Sequence, residues 1–246
     1  MIEKKNILGV GITNATKKEI LEYIIKSLEN FKKKLIFVTP NPEFLVLASK
    51  NFTFKYILNK ADLALADGIG ILIAGKILGK ELKERFTGVE LLESLCLVVA
   101  KKPITVGFLG GREGVAEKTA ECLQKKHPGL KVAFAQEEWP NAEVDGRRWR
   151  IEESIDILFV AFGAPKQEFW IRENLQKIPV RIAIGVGGAF DYISGQVPGV
   201  PLFIRKIGFE WLFRLIRQPW RIKRQLALLE FIYLVLKEKI ASKKAI

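Results

Sequence analysis

Residues 155–161 read IDILFVA and are followed directly by FGAPKQE at residues 162–168. The first stretch is a nearly continuous apolar run with the length of a buried strand, and the second supplies a turn and the polar start of a helix. Ligands of open α/β sheets bind at the carboxyl ends of the strands. The two stretches therefore predict a buried strand that ends at a binding edge, with a lysine and a carboxamide placed there.

Four further apolar runs end in small or polar residues in the same way. Residues 35–38 lead into TPN, residues 63–66 into DG, and residues 105–109 and 182–186 each into GG. These runs alternate with helix-like segments, and strands that are apolar almost throughout are typical of a parallel sheet covered by helices on both faces. The sequence predicts an α/β fold with a mainly parallel, Rossmann-like sheet.

Helix starts are marked by capping residues. Thr16-Lys17-Lys18-Glu19 is a capping-box pattern, and Asn41-Pro42 places an N-cap before a proline suited to the first helical position. The second pattern predicts a helix from Pro42 to about Lys50. Other helices are expected near residues 69–78, 89–100, 114–126, 146–153 and 165–175, with a further strand near Val132.

The chain of 246 residues carries a formal charge of +13, much of it near the C-terminal end. From Leu202 onward there are eleven basic and three acidic residues, a net charge of +8. A charge of this size favours a polyanionic partner, either nucleic acid, an anionic membrane or a phosphorylated substrate. Together with a composition break near residues 196–201, it predicts an α/β core over residues 1–200 and a basic helical appendage over residues 201–246.

Several classes of protein are not expected. The polar opening MIEKKN lacks the apolar segment of a secretory signal, and the apolar run at residues 226–236 is too short to span a membrane and contains Glu230. His127 is the one histidine, and no Asp-x-Asp pair is present to hold magnesium. The glycine turns do not make a dinucleotide fingerprint. We therefore expect neither a metal nor an organic cofactor.

Asp67 ends an apolar run and is followed by Gly68 and Gly70. A carboxylate in this position can turn into a cleft and act as a general base on a sugar hydroxyl, while the glycines let a bulky ligand approach the backbone. The alternative is an N-cap for the helix that begins at Ile69. The position alone leaves both interpretations open.

Two glycine turns follow strands. GGREG at residues 110–114 resembles a phosphate-cradling turn ahead of a helix, which makes Gly110 a candidate substrate contact. GVGGAFD at residues 185–191 makes Gly187 and Gly188 candidates of the same kind. Tight packing of a strand against a helix would explain the glycines of the second turn equally well.

Lys166 and Gln167 stand at the start of a helix, after Pro165. Pro165 fixes the turn, and the Gln167 carboxamide can recognise a hydroxyl group or a uracil edge as both donor and acceptor. The alternative for both residues is a solvated helix start.

Arg85 lies in the segment KERFTG at residues 83–88. Its planar guanidinium could hold a phosphate or a carboxylate. The alternative is a surface ion pair with Glu81 or Glu84.

Together these motifs resemble those of the WecG/TagA/CpsF glycosyltransferases, which include the N-acetylmannosaminyltransferases of wall teichoic acid linkage-unit assembly. The resemblance runs in order from about Ile7 to Arg224. The matching motifs are TPN-x-E at residues 39–43, DG-x-G at 67–70, ER-x-x-G-x-EL at 84–91, GAPKQE-x-WI at 163–171, GVGG-x-FD at 185–191 and EW-x-x-RL at 210–215.

The resemblance implies a metal-independent, inverting transfer of a sugar from a UDP-sugar to undecaprenyl-diphosphate-linked N-acetylglucosamine. The sugar expected first is N-acetylmannosamine or its uronic acid. The expected partners are the UDP-sugar, the lipid-linked acceptor and an anionic membrane surface, and a homo-oligomer is left open. The resemblance places the protein in the cytoplasm, peripheral on the inner face of the cell membrane.

The resemblance also implies roles for individual residues. Asp67 would be the general base, Thr39 and Asn41 would position the acceptor or the base, and Arg85 and Gln167 would contact substrate. The arginines of the appendage would close on the nucleotide diphosphate, because they must neutralise the leaving UDP where no metal does so. These arginines are Arg214, Arg221 and Arg224.

Two other functions are compatible with parts of the sequence. Basic residues interleaved with aromatic ones such as Trp211 and Trp220 would suit a nucleic-acid-binding protein. The apolar residues of the tail, however, form nearly continuous helical runs rather than isolated stacking platforms. A regulator that binds a sugar nucleotide without catalysis would be expected to lack Asp67, which is present. We therefore expect an enzyme and no nucleic-acid partner.

Overall fold

The computed structural model describes residues 2–139, 154–197 and 222–244. Its strands are β1 (Lys4–Ile7), β2 (Val10–Thr13), β3 (Leu35–Val38), β4 (Leu63–Ala64), β5 (Thr105–Gly110), β6 (Lys131–Gln136), β7 (Ile155–Ala161) and β8 (Val180–Gly185). Its helices are α1 (Lys17–Glu29), α2 (Pro42–Lys50), α3 (Phe52–Lys60), α4 (Ile69–Ile77), α5 (Gly88–Val99), α6 (Val115–Lys126), α7 (Lys166–Asn174), α8 (Ala189–Ile193) and α9 (Ile222–Lys244), with a 3-10 turn at Leu175–Lys177.

The main sheet has six strands in the order β4-β3-β8-β7-β5-β6. Each of the pairs β3 with β8, β8 with β7, β7 with β5 and β5 with β6 is parallel. The predicted α/β fold with a mainly parallel sheet is therefore confirmed.

β7 lies between β8 and β5 in the sheet. β7 spans the predicted residues 155–161 and is buried along nearly its whole length. Its Val160 is in register with Leu109 of β5 and Gly185 of β8. The carboxyl ends of these three strands are therefore level, which brings the turns that follow them to one edge.

The capping residues predict the helix starts well. The Asn41 side-chain Oδ1 accepts the Phe44 N–H at 3.1 Å, and α2 covers the predicted residues 42–50. α1 begins at Lys17, directly after Thr16. The expected helix near residues 146–153 lies outside the described residues.

A hairpin and a helix are among the elements that the sequence analysis did not predict. β1 and β2 form an antiparallel hairpin whose turn holds Leu8 and Gly9 at φ values of 51° and 79°. α3 starts immediately after α2, because the Asn51 side chain accepts the Phe54 N–H at 2.9 Å and caps a new helix. A single asparagine thus separates two helices where the sequence analysis expected only one.

The chain divides into two compact units. The described residues of the first unit are 2–17, 39–87 and 222–244, and those of the second are 18–38, 88–139 and 154–197. The predicted boundary between residues 200 and 201 lies outside the described residues and stays a prediction. In the second unit the core includes Phe108, which stacks on Phe159 with ring centroids 5.6 Å apart and meets the edge of Phe190 at 5.7 Å.

α9 packs within the first unit against α2 and α4. Phe231 and Val235, one helical turn apart, are buried, and ion pairs join Glu230 to Lys50 at 2.6 Å and Glu238 to Lys80 at 2.9 Å. The expected C-terminal helix is therefore present. No helix in the described part of the chain is both long and apolar enough to cross a membrane.

Candidate active site

The first group of predicted site residues gathers in the first unit. The Asp67 N–H donates to the Pro40 carbonyl oxygen at 2.9 Å, and the Phe86 N–H donates to the Ala66 carbonyl oxygen at 2.9 Å. These two bonds place the segments 39–41, 66–67 and 85–86 next to one another. We call Thr39, Asn41, Asp67 and Arg85 the Asp67 cluster.

Asp67 itself is half-buried and stands one residue before the helix cap. The N-cap residue of α4 is Gly68, with φ at 103°, which has no side chain to accept a capping hydrogen bond. The interpretation of Asp67 as the N-cap is therefore wrong by one position. A Cβ on Gly68 would meet no atom of the described part of the chain within 4 Å, whereas one on Gly70 would lie 2.8 Å from Pro42 Cγ. Gly68 thus faces open space, while Gly70 permits close packing against α2.

Thr39 and Asn41 flank the Pro40 carbonyl that anchors Asp67. Thr39 is buried, and Asn41 is half-buried at the start of α2. The Asn41 Oδ1 atom faces Phe44 N–H as the helix cap. The NH₂ side of this carboxamide is therefore the side that can donate to a neighbouring carboxylate or to a substrate.

The segment that carries Arg85 is anchored on both sides. The Lys83 N–H donates to Asn14 Oδ1 at 2.9 Å, and the Glu84 carboxylate accepts the Lys17 N–H at 2.9 Å. Phe86 is buried. Arg85 is half-buried between these anchors, so its backbone position is well defined although it lies between two helices.

A second group gathers in the second unit around Gln167, which is fully buried. Its side-chain Oε1 accepts the Gly163 N–H at 3.2 Å and the Gly187 N–H at 3.1 Å. One carboxamide therefore joins the turn after β7 to the turn after β8. The turn after β5 is attached as well, because the Gly111 N–H donates to the Ala161 carbonyl oxygen at 3.3 Å. We call these three turns with Gln167 the Gln167 cluster.

The glycines of the Gln167 cluster fall into two kinds. A Cβ on Gly110 would lie 2.9 Å from Phe162, and one on Gly185 would lie 2.8 Å from Gln167 Nε2, so these two positions serve close packing. Gly163 and Gly187 have φ values of 76° and 53°, and a Cβ on either would meet no atom of the described residues within 4 Å. Gly188 has ordinary room, with its nearest neighbour at 3.6 Å.

Two charged residues at the start of α7 are placed very differently. Lys166, the first residue, is exposed, whereas Glu168, the third, is fully buried. Glu168 Oε1 accepts the Gln167 Nε2 donor at 2.7 Å, and burial raises the pKa of this carboxyl to about 7. Glu168 belongs to the motif at residues 163–171, although the sequence alone assigns it no role. Its place beside Gln167 near a helix start was the available signal.

The arginines assigned to the nucleotide diphosphate cannot be placed. Arg214 and Arg221 lie outside the described residues. Arg224 belongs to α9, but only its backbone is described. Within the described ranges, no three His, Cys, Asp or Glu side chains are grouped closely enough to hold a metal ion.

In a parallel α/β sheet the turns at the carboxyl ends of the strands form the ligand-binding edge, and glycine turns follow β5, β7 and β8 at this edge. The chain belongs to the family described as "Glycosyl transferase WecG/TagA/CpsF family", whose model matches residues 5–245. The expected enzyme class, a glycosyltransferase, is therefore confirmed.

Curated relatives from three bacteria resemble the chain over most of its length. A protein of Bacillus spizizenii is 34% identical over 212 residues, which are 86% of this chain and 82% of the relative. One from Bacillus subtilis is 27% identical over 238 residues, covering 97% and 93%, and one from Staphylococcus aureus is 30% identical over 244 residues, covering 98% and 96%. Each is named N-acetylglucosaminyldiphosphoundecaprenol N-acetyl-beta-D-mannosaminyltransferase.

Proposed function

We propose that this protein transfers N-acetylmannosamine, or its uronic acid, from a UDP-sugar to undecaprenyl-diphosphate-linked N-acetylglucosamine. The observation that carries the proposal is the nearly full-length similarity to relatives that all bear one transferase name. Asp67, anchored at a strand end beside open space at Gly68, supplies a group suited to the chemistry.

In the proposed reaction Asp67 is the general base. Its carboxylate accepts the proton of an acceptor hydroxyl while that oxygen attacks the anomeric carbon of the donor sugar. The bond to UDP breaks on the opposite face, and UDP leaves with the electron pair, so the anomeric configuration is inverted. A positioned base of this kind contributes about 10²- to 10⁴-fold in rate.

The other members of the Asp67 cluster orient these groups. The cap bond fixes Asn41 so that its NH₂ group can donate to the Asp67 carboxylate or to the acceptor. Thr39 lies on the other side of Pro40, the residue that anchors Asp67. Arg85 supplies a cation from an anchored segment and suits the diphosphate of the acceptor or the donor.

We assign the UDP moiety to the Gln167 cluster. Gly163 and Gly187 have open space on the side where a Cβ would stand, which permits a ligand to approach the backbone. Lys166 is exposed at the first position of α7, and Gly110 and Gly188 lie in the adjoining turns. Gln167 acts through these turns, because its oxygen already accepts two backbone N–H groups. Arg214, Arg221 and Arg224 are expected to neutralise the leaving diphosphate in place of a metal.

The test is transfer from a panel of UDP-sugars to a lipid-diphosphate-linked N-acetylglucosamine. The panel contains UDP-N-acetylmannosamine, its uronic acid, UDP-glucose and UDP-glucuronic acid. Product is expected with N-acetylmannosamine or its uronic acid and with no other member of the panel. Preference for a glucose donor would refute the donor assignment while leaving the enzyme class intact.

We further propose that α9 docks on an anionic membrane surface, where the lipid-linked acceptor resides. The residues that α9 buries, Phe231 and Val235, lie on one side of the helix. At 100° per residue, a stripe of apolar residues faces the opposite side. This stripe consists of Leu226, Leu229, Tyr233, Leu236 and Ile240, each at least half exposed.

The flanking charge agrees with this role. The tail from Leu202 onward carries a net charge of +8, and each basic residue near an anionic surface favours binding by about 1 kcal/mol. Neighbouring α4 adds exposed Ile69, Ile73 and Ile77, spaced four residues apart and therefore on one face.

The membrane role is tested with Leu229→Gln/Leu236→Gln. Binding to phosphatidylglycerol vesicles should weaken by about tenfold or more, because two apolar side chains lose their burial in the lipid. Leu97→Gln is the matched control, since Leu97 is 50% exposed on α5 in the second unit. Unaltered vesicle binding, or a change only in oligomeric state, would refute the membrane role.

A further inference from the structure

The Gln167 carboxamide has one partner that the proposed chemistry does not use. Its oxygen accepts from Gly163 and Gly187, and its Nε2 donates to Glu168 Oε1 at 2.7 Å. Both side chains are fully buried. The other oxygen of this carboxyl group, Oε2, is also buried and has no hydrogen-bond partner among the described residues.

The orientation of this carboxamide matters because its two ends are chemically opposite. A 180° flip would point the NH₂ group at the N–H groups of Gly163 and Gly187, leaving all these donors without an acceptor. The same flip would set the carboxamide oxygen against a carboxyl oxygen. An acceptor at Glu168 Oε1 therefore selects the orientation in which Gln167 joins the two turns.

Close packing keeps the pair in place. A Cβ on Gly185 would lie 2.8 Å from Gln167 Nε2 and 3.1 Å from Glu168 Oε1. β8 therefore presents bare backbone to both side chains, and any residue larger than glycine at position 185 would displace them. The buried pair is therefore held by α7, by the end of β8 and by the two glycine turns, and it is not a surface contact.

The carboxyl group gains little charge compensation from its surroundings. α7 packs against the 3-10 turn, whose Lys177 is exposed, and against β3, β7 and β8, where the charged residues are Asp156 and Arg181. These two pair with each other at 3.0 Å near the amino ends of their strands, remote from the turns. On α7 itself, Lys166, Arg172 and Glu173 are exposed. Burial, with no cation of the described residues close to the carboxyl group, accounts for the raised pKa of Glu168, about 7.

We propose that Glu168 is a positioning residue for the nucleotide-binding turns: its carboxyl oxygen holds the Gln167 carboxamide in the orientation that joins Gly163 to Gly187. The assignment of UDP to these turns rests on the proposed function. The coupling of Glu168 to the two glycine amides is independent of the proposed function.

The experiment follows individual amides in protein labelled with ¹⁵N-glycine. In Glu168→Leu, hydrogen exchange of the Gly163 and Gly187 amides should accelerate by about tenfold or more, because their acceptor is no longer held. The affinity for UDP, measured by calorimetry, should fall by about tenfold. Glu168→Gln keeps a carbonyl oxygen in the same place and should restore both properties to within about threefold of the parent protein. Glu173→Leu, on the exposed side of the same helix, is the matched control.

A titration of the parent protein gives a readout that does not depend on the leucine variant folding. The Gly163 and Gly187 amide resonances should shift together with a midpoint near pH 7, and this shift should be absent in Glu168→Gln. Loss of the shift in Glu168→Gln supports the proposal, and its persistence there overturns it. Parent-like exchange of both amides in a folded Glu168→Leu protein also overturns it. If the parent protein does not bind UDP, the nucleotide assignment fails, whereas the amide measurements still decide the role of Glu168.

Discussion

The backbone N–H of Asp67 donates to the carbonyl oxygen of Pro40 at 2.9 Å. The next residue after Pro40 is Asn41, the cap of α2. Asp67, the proposed base, is therefore hydrogen-bonded to the residue that precedes the cap of α2. A substitution at Asn41 should alter the position of Asp67.

Replacing Asn41 tests whether this residue has a catalytic role in addition to capping α2. Asn41→Ala should cost about 1 kcal/mol of unfolding free energy, because α2 loses its cap. It should also lower kcat by at least about tenfold, because a group that orients Asp67 or the acceptor is removed. Urea denaturation and steady-state kinetics measure the two effects.

Asn51→Ala is the matched control for this prediction. Asn51 caps α3 through the same kind of hydrogen bond, accepting the Phe54 N–H at 2.9 Å. The Asn51→Ala variant should lose a similar amount of unfolding free energy and should keep the kcat of the parent protein. Equal losses of kcat in the two variants would show that Asn41 acts only as a helix cap.

Gly187 tests the Gln167 cluster as the nucleotide site. Gly187→Ala places a methyl group where none of the described residues has an atom within 4 Å, at a φ of 53°. The strain should cost about 1 kcal/mol of stability, and the methyl group should weaken UDP binding by about tenfold or more. Gly79→Ala, at a φ of 72° and equally open, carries the same strain at the C-terminal end of α4. UDP affinity that falls equally in both variants would point to strain alone.

Chelation tests the absence of a metal from the mechanism. Transfer in excess EDTA should proceed at the rate measured without it, because the arginines of the tail are expected to supply the positive charge opposite UDP. A magnesium-dependent enzyme in the same buffer serves as the control for complete chelation. Loss of activity that magnesium or manganese restores would contradict the metal-independent mechanism.

Glu168 predicts how stability depends on pH. Its pKa rises from 4.5 to about 7 on folding, so between these values the folded state binds more protons than the unfolded state. The free energy of unfolding should therefore fall as pH rises through this window, by about 3 kcal/mol, and this contribution should level off above pH 7. Glu168→Gln should lack the fall. Urea denaturation of both proteins between pH 5 and pH 8 measures the difference, and parallel curves would contradict the assignment of the proton to Glu168.

Sequence analysis predicted those elements whose signal is local. β7 is apolar except at Asp156, and the Asn41-Pro42 pair marks the start of α2, so both were predicted with their correct bounds. The β1 to β2 hairpin was missed because its first strand, KKNI, buries only Ile7. Its turn also uses Leu8 at positive φ, which is not a common turn residue.

The candidate site divides in the same way. Asp67, Asn41 and the glycine turns were found because each follows an apolar run in the sequence. The partners of Gln167 were not found from the sequence. Its bond to Gly187 joins residues that are 20 positions apart, and it forms because the carboxyl ends of β7 and β8 are level. Burial of Glu168 likewise follows from tertiary packing, since a glutamate near a helix start is ordinarily exposed.

The most direct measurement of the central claim is the rate of transfer by Asp67→Asn at saturating acceptor. The asparagine keeps the shape of the side chain but cannot accept the proton of the acceptor hydroxyl. We expect kcat to fall by about 10²- to 10⁴-fold. UDP affinity and unfolding free energy should stay close to those of the parent protein. A kcat within a few-fold of the parent value, with the acceptor saturating, would contradict the assignment of Asp67 as the general base.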